Sequence, residues 1–465
     1  MSAGGDPMSL QTFHPDALDN AGAGVAEADG RRVHVAGALP GETVTAAVVH
    51  RSVHGRDAWA DLHQIVVPSS ERVAPVCPAQ GRCGGCVLQH LAPAGQLAWK
   101  RQLVQTAFDA TPAKLRLPII GDCVPSPTNL GYRNQAKYVV GRDAGGRMIL
   151  GAYAPRSHDV IDLAGCRLGE PPQDAVAAQL RSLLERHVVE PFDERSRRGL
   201  LRYVVIRTND AGQVLVALVT GRPEFAAGIV IAQALAAAIP AVVSVVHEIN
   251  ESTGNAIFAR ATPTTTPAHT LLGTGGLTER FGAVEVTIGA RAFLQLNRGV
   301  ARAAYAAIRA ALAPTPITRL FDLYAGVGAI AFSLADLARE IVAVEENPAA
   351  TAAGAEAATQ AGLSQVRFVT GQVAATMASL GPADAVVLNP PRAGAGVQVC
   401  AAIVALRPQA VAYLSCNPAT LASDLAALTA GDPELTIESI RPFDMLPHTT
   451  HVETLVIIRR TPRST

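Results

Sequence analysis

Three stretches of this 465-residue chain place reactive residue types where a fold would expose them. In Tyr413-Leu414-Ser415-Cys416-Asn417-Pro418-Ala419-Thr420-Leu421, the apolar run from Gln409 to Leu414 reads as a short buried strand. Pro418 punctuates it, and Ala419 to Leu428 has helical spacing. Cys416 therefore belongs at the carboxyl end of a strand, where open α/β sheets carry their sites. A thiol there is a candidate nucleophile, against the blander reading of a small buried hydrophobe. The second stretch is Cys77-Pro-Ala-Gln-Gly-Arg-Cys83-Gly-Gly-Cys86, a C-x5-C-x2-C spacing whose glycines let the backbone wrap a ligand. Three thiols this close point to a metal, with Cys166, preceded by Gly165, as fourth ligand and Cys123 in reserve. Spacing alone leaves zinc and an iron-sulfur cluster equally open. The third stretch, Phe443-Asp444-Met445-Leu446-Pro447-His448-Thr449-Thr450-His451-Val452-Glu453, runs into a last strand from Thr454 to Ile458. Proline and strand context spoil a metal set of His448, His451 and Glu453, and Glu453 reads better as a general base.

The elements that would hold these groups alternate from Ala290 onward as in a doubly wound parallel sheet. A helix from Arg298 to Leu312 precedes a strand from Arg319 to Leu323. Asp322-Leu-Tyr-Ala-Gly-Val-Gly-Ala then makes a glycine-rich turn opening a helix from Ile330 to Leu337. Gly326 and Gly328 let a ligand approach the backbone there. The next strand, Ile341 to Val344, ends in Glu345, an acid placed to bond ribose hydroxyls of an adenosine-type cofactor. A fourth strand, Ala383 to Leu388, enters Asn389-Pro390-Pro391-Arg392, where two prolines stiffen a loop at the strand's carboxyl end.

Upstream, short β-rich runs at Arg32 to Val35, Thr43 to Val49 and Trp59 to Val67 suit a small OB-like barrel. Residues 1–11 are expected to be disordered. The middle third reads as an α+β domain, with strands at Gln135 to Gly141 and Leu200 to Arg207 and helices at Pro172 to His187 and Phe225 to Ala238. Ala261 to Gly276 reads as a linker and Phe281 to Arg291 as a hairpin-like stretch. No charged residue lies between Ala226 and Val246, but Pro240 and the change from Ala-rich to Val-rich halves favour a buried helix and strand over a membrane span. Met1 to Pro7 carry no apolar signal core, so a cytoplasmic protein is expected. The 39 basic residues balance 39 acidic ones, which excludes nucleic-acid binding through bulk charge. A local basic group, Arg195, Arg197, Arg198, Arg202 and Arg207, is diluted by Asp193 and Glu194.

Together these motifs resemble the RNA uracil-5-methyltransferase family, in particular its iron-sulfur-containing ribosomal RNA branch, over essentially the whole chain. Phe293-Leu-Gln295-Leu-Asn297, Ser415-Cys416-Asn417-Pro418 and Pro447-His448-Thr449-x-His451-Val452-Glu453 are similar to its signatures. Val35-Ala36-Gly37-Ala38-Leu39-Pro40-Gly41-Glu42 resembles part of its TRAM domain, an RNA-binding OB-like barrel. The resemblance implies a multidomain α/β protein. It would comprise a TRAM-like barrel (1–70), a central α+β domain with a four-cysteine cluster (71–276) and a Rossmann-like class I methyltransferase domain (277–465). Part of the segment after Cys86 would pack back onto the last. It implies a [4Fe-4S] cluster on Cys77, Cys83, Cys86 and Cys166, and S-adenosylmethionine held by Gln295, Tyr324, Gly326, Gly328, Glu345, Gln372 and Asn389. Cys416 becomes the nucleophile adding to carbon 6 of uracil, and Glu453 the base removing the carbon 5 proton. The expected substrate is ribosomal RNA, with transfer RNA the alternative, no membrane partner and a monomeric state. A catalytically silent RNA-binding protein is the rival of another class. Asn389 stands where the family usually has Asp, Ala325 replaces a common Cys, and Ala329 a frequent Asn. N-P-P followed by an aromatic marks amino-group methyltransferases, but Arg392 follows here, and that reading leaves Cys416 and Glu453 without roles.

Overall fold

In a computed structural model, residues 9–112, 115–155, 157–254, 256–260 and 268–461 are described. The first unit is a six-stranded sheet of β1 (Leu10–Phe13), β2 (Ala17–Leu18), β3 (Gly24–Ala28), β4 (Arg31–Val35), β5 (Thr43–Arg51) and β6 (Asp57–Val67). Its order is β1-β5-β6-β4-β3-β2, antiparallel except where β4 meets β6. Alternate apolar residues, among them Val33, Val35, Val44, Ala46, Ala58 and Ala60, point to one side and share a core with Phe13. Leu10 and Gln11 already pair with β5, which corrects the expected disorder of residues 1–11; residues 1–8 lie outside the described part. The hydrogen-bonded order is open, although β1 also lies against β3.

The middle of the chain supplies α1 (Pro93–Asp109), β7 (Gln135–Arg142), β8 (Met148–Tyr153), β9 (Val160–Asp162), α2 (Pro171–Arg186), β10 (Leu201–Thr208), β11 (Val214–Thr220), α3 (Gly228–Ala238), β12 (Val242–Ile249) and β13 (His269–Leu272). These strands form a second sheet in the order β13-β12-β11-β10-β7-β8-β9. The uncharged run resolves into α3 and β12 around Pro240, and among the described residues no helix is long and apolar enough to cross a membrane. The expected linker at Ala261 to Gly276 is corrected at its end, because His269–Leu272 pairs with β12; residues 261–267 lie outside the described part.

A hairpin of β14 (Leu277–Phe281) and β15 (Val284–Ile288) turns at Gly282 (φ +62°), earlier than the expected Phe281 to Arg291 stretch. The remaining elements are α4 (Arg298–Leu312), β16 (Ile317–Leu323), α5 (Ala329–Ser333), β17 (Ala338–Glu345), α6 (Pro348–Gln360), β18 (Val366–Thr370), α7 (Val373–Leu380), β19 (Ala385–Leu388), α8 (Gly396–Leu406), β20 (Ala410–Ser415), α9 (Pro418–Gly431), β21 (Leu435–Phe443) and β22 (Glu453–Arg460). They build a sheet of order β18-β17-β16-β19-β20-β22-β21, parallel from β18 to β20. β22 runs antiparallel to both neighbours. Successive strand residues bury opposite faces: Leu320, Ala343, Val387 and Leu414 in one core, Phe321, Val344, Leu388 and Tyr413 in the other. The helix expected at Ile330 to Leu337 is shorter, because Ala338 is already paired with Ile317 and residues 334–337 must turn to reach it. Helix α1 packs on α9 and β21, and Ile120 and Val124 bridge to Ile440 and Phe443, so the segment after Cys86 does return to this sheet.

Candidate active site

The register of β20 against β22 decides the chemistry of the strand ends. Ser415 lies opposite Thr454, so Cys416, one residue beyond β20, meets Glu453, the first residue of the antiparallel β22. Two motifs far apart in sequence converge because one strand ends where the other begins. Cys416 is then held by the helix that follows: Asn417 caps α9, its side chain accepting the Ala419 N–H at 3.1 Å, with Pro418 in the first turn. Glu453 is only 6 % exposed, and its Oε2 has no hydrogen-bond partner among the described residues. Burial pushes its carboxyl up to about 8, with the Arg392 charge pulling back. Burial likewise pushes the Cys416 thiol up, the Glu453 charge adds to the rise, and Arg392 opposes it. The helix end alone therefore does not activate this thiol.

The loop that carries Glu453 is gripped from outside the catalytic sheet. Leu88 N–H donates to the His448 carbonyl (3.0 Å), and the His448 N–H donates to Gln96 Oε1 (2.8 Å). Tyr132 Oη donates to the Pro447 carbonyl (3.0 Å). Lys100, fully buried, pairs with Asp444 and donates to the Leu446 carbonyl at 3.0 Å. His448 itself adopts a left-handed backbone (φ +69°).

A cavity of about 410 Å³ opens where β16, β17 and β18 end, lined by Tyr324, Glu346, Gln372 and Val373 on one side and by Ala395 to Val399 on the other. Of the expected donor-site residues, Tyr324 and Gln372 line it, whereas Gln295, Gly326, Gly328, Glu345 and Asn389 do not. Gln295 is half-buried, its carbonyl accepting from Asn134 Nδ2 (2.8 Å), and Asn389 N–H donates to the Leu323 carbonyl (3.4 Å). Tyr324 holds φ +61°, a left-handed conformation that strains a residue with a side chain. Gly326 (φ +57°) and Gly328 (φ +92°) shape the turn beneath, and a Cβ on Gly328 would come within 2.5 Å of the Phe368 ring. Glu345 braces that turn, its Oε2 accepting the Gly326 N–H (3.0 Å) and its Oε1 the Asn347 N–H (2.9 Å). Asp322 caps the same turn through Ala331 N–H (2.9 Å), and burial lifts its carboxyl to about 7. The cavity's other wall is tied to the nucleophile's helix, because Asp424 of α9 accepts the N–H groups of Ala395 (2.8 Å) and Gly396 (3.1 Å).

Sequence reasoning missed Glu346, the Ala395 to Val399 wall and the role of Arg392. Only Arg392 carried a signal, standing directly after the stiff Pro390-Pro391 pair.

Cys77, Cys83 and Cys166 lie close enough to Cys86 that each adds to a rise, chiefly from burial and opposed by Arg133, that carries its thiol up to about 12. Gly85 N–H points at Cys83 Sγ (3.5 Å), and the Leu168 N–H favours the Cys166 thiolate. Cys123 is buried elsewhere, beside Asp444 and Lys100, and drops out as the reserve ligand. Among the described residues, no group of three or more His, Cys, Asp or Glu side chains is arranged to hold a metal ion. The basic group also divides. Arg202 is buried against Glu194 and the Asn250 carbonyl, Arg207 is buried with the Ala292 carbonyl, and Arg195, Arg197 and Arg198 are exposed.

Comparison with known proteins gives this geometry its context. A family model described as tRNA (uracil-5-)-methyltransferase matches residues 355–461, which hold both Cys416 and Glu453. An uncharacterized RNA methyltransferase of Geobacter sulfurreducens is 34% identical over 458 residues, covering 96% of this chain and 90% of that protein. Another from Halalkalibacterium halodurans is 32% identical over 446 residues, covering 95% of each. The fold matches the crystal structure of the Pyrococcus abyssi tRNA (uracil-54, C5)-methyltransferase in complex with S-adenosyl-L-homocysteine, with a TM-score of 0.74 at 22% identity over 97% of this chain and 100% of that one. With relatives this similar over nearly its full length, the chain belongs to the RNA (uracil-5-)-methyltransferase family of S-adenosylmethionine-dependent enzymes.

Proposed function

We propose that this protein methylates carbon 5 of a uridine in RNA, ribosomal RNA in preference to transfer RNA, by adding Cys416 to carbon 6 and removing the carbon 5 proton with Glu453. The observation that carries this reading is the Ser415–Thr454 register, which sets a half-buried thiol against a buried carboxyl with one unpartnered oxygen. S-adenosylmethionine, when bound, supplies an electrophilic methyl group on a sulfonium. Tyr324, Gln372 and the Gly326–Gly328 turn would hold it, and the 410 Å³ cavity that Tyr324 and Gln372 line supports that fit.

Carbon 5 of uracil is too poor a nucleophile to take a methyl group unaided. Bond formation between Cys416 Sγ and carbon 6 pushes electrons toward the carbonyl oxygen and makes carbon 5 nucleophilic. Once carbon 5 carries the methyl group, Glu453 Oε2 takes the carbon 5 proton, the double bond re-forms and Cys416 leaves as thiolate. A carboxyl lifted toward 8 suits a base working near neutral pH. The two anions also disfavour one another, so Glu453 ionises more readily once the sulfur's charge has passed to the base. The target uridine must lie unstacked or be flipped to reach the strand ends.

By the same reading the amino-terminal sheet is a TRAM-like RNA grip over 1–70, the central domain spans 71–276 and the methyltransferase domain 277–465. The family resemblance, and not the arrangement of the side chains, supports the reading that Cys77, Cys83, Cys86 and Cys166 would hold a [4Fe-4S] cluster, outside the chemistry at Cys416, and that the enzyme works as a cytoplasmic monomer. Purified protein incubated with labelled S-adenosylmethionine and undermethylated ribosomal and transfer RNA tests the function by nucleoside analysis. The expected product is 5-methyluridine in ribosomal RNA. Label in transfer RNA alone reassigns the substrate, and no labelled pyrimidine in either leaves an RNA-binding protein without this activity.

A further inference from the structure

Arg392 joins three loops that converge on the site. Its carbonyl accepts from Asn417 Nδ2 (2.9 Å) and Thr420 Oγ1 (3.3 Å), both at the start of the helix behind Cys416. Its Nη2 lies 3.4 Å from both ring nitrogens of His451, two residues before Glu453. Pro390 and Pro391 fix the approach of its own loop. Among the described residues Arg392 makes no ion pair within 4.0 Å, and its neighbour Asn389 is neutral, so no carboxylate in its own loop consumes its charge. The charged and titratable groups facing Cys416 are Glu453 and Arg392; those facing Glu453 are Arg392, Cys416 and, from α4, Tyr305. Among the described residues Arg392 is the one cation whose charge acts on both, from a place between the start of the nucleophile's helix and His451.

We propose that Arg392 is a positioning residue that holds the single negative charge of the Cys416–Glu453 pair, first on the sulfur and then on the carboxylate, its backbone locked to the nucleophile's helix and its guanidinium resting on His451. Burial and mutual repulsion keep the site from carrying two anions. One fixed cation between them lets either group be the anion in turn, without rearrangement of the loops. The proposal rests on the catalytic reading of Cys416 and Glu453, but its test does not need RNA.

In the full-length protein, the rate of Cys416 alkylation by iodoacetamide is followed from pH 6 to 10 by peptide mass spectrometry. An opposite charge a few ångströms away shifts such a midpoint by about one to three pH units. Arg392→Gln is therefore expected to raise the midpoint by at least about one unit. Arg392→Lys, a point charge without the fork, should shift it less, and Glu453→Gln should lower it. An unchanged midpoint in Arg392→Gln overturns the proposal; should Arg392→Gln not fold, Arg392→Ala, which also removes the charge, decides in its place. Covalent trapping in the presence of S-adenosylmethionine on ribosomal and transfer RNA transcribed with 5-fluorouridine separates the two claims, because after methyl transfer carbon 5 carries a fluorine that Glu453 cannot remove as a proton. No trapped complex with the wild type sinks the proposed function. A trapped complex whose pH dependence is the same in Arg392→Gln sinks only the role of Arg392.

Discussion

Arg298 and Arg392 both face buried carboxylates, in opposite settings. Arg298 spends every nitrogen: Nε and Nη2 reach both oxygens of Glu279 (2.9 and 3.1 Å), Nη1 pairs with Glu170, and Nη2 also reaches the Thr208 carbonyl. Glu170's other oxygen accepts the Thr208 hydroxyl. This closed set ties α2, β10, β14 and the start of α4 into one body. Around Arg392 nothing closes: the guanidinium is exposed, Glu453 keeps an orphaned oxygen, and the nearby thiol is held above its ordinary range. Most buried polar groups that only hold a fold together are partnered, and an unpartnered carboxyl beside a thiol and an exposed cation at the strand ends fits a site with polar capacity reserved for a ligand.

The contrast predicts that substitutions at the open set destroy turnover without the destabilisation that breaking the closed set brings. Cys416→Ala should lower 5-methyluridine formation by about 10⁴-fold or more, the scale of losing a covalent nucleophile, with an unchanged melting temperature. A variant that keeps appreciable activity would show that carbon 6 is attacked by some other group.

Glu453→Gln should reduce turnover by about 10²- to 10⁴-fold and leave a methylated protein–RNA adduct that gel analysis can detect. It should also alter stability with a definite sign. Folding lifts this carboxyl from 4.5 to about 8, so between those values the folded chain holds a proton that the unfolded chain has lost. That contribution is fully present below pH 4.5 and is lost as pH rises through 8. Thermal melts should therefore show the wild type losing a few kcal/mol relative to Glu453→Gln between pH 5 and 9. Parallel curves for the two proteins would mean that the carboxyl is not buried neutral.

At the closed set the expectation reverses. Arg298→Met strands Glu170 and Glu279 without a cation and should destabilise by about 3–5 kcal/mol, a fall on the order of 10 °C in melting temperature. A melting temperature within a degree or two of wild type would remove the distinction between the two sites.

How far the sequence reveals these sites depends on how local their causes are. Cys416 was legible because strand, proline and helical spacing lie within a dozen residues, and the turn holding Tyr324 because its glycines announce a cofactor loop, whereas Gln372 came only with the family resemblance. Glu453 opposite Cys416 follows from a strand register, which motif resemblance anticipated but spacing could not. The short α5 and the strand at His269–Leu272 escaped because pairing partners, Ile317 and β12, overrode local pattern. The grip of Gln96 and Lys100 on the Glu453 loop joins positions more than 340 residues apart and has no local signature.

That grip gives the smallest and most discriminating expectation, because it runs through the cysteine region. Leu88, two residues after Cys86, donates to the His448 carbonyl, and Leu446 packs against the small core of Cys86, Tyr132 and Leu168. On the proposed four-cysteine assignment, ligand loss at Cys86 should therefore be felt at Glu453. In anaerobically purified Cys86→Ala, bound iron should fall, and amide exchange across residues 445–453 should quicken by several-fold, since the loop then opens locally without the whole fold unfolding. Cys123→Ala removes a buried thiol beside Lys100 and Asp444 but no cluster ligand, so it should keep its iron. Equal iron in both variants would discard the four-cysteine assignment. Iron loss in Cys86→Ala with unchanged exchange at 445–453 would instead confine the cysteine region to RNA or folding and leave the Glu453 loop braced by Gln96, Lys100 and Tyr132 alone.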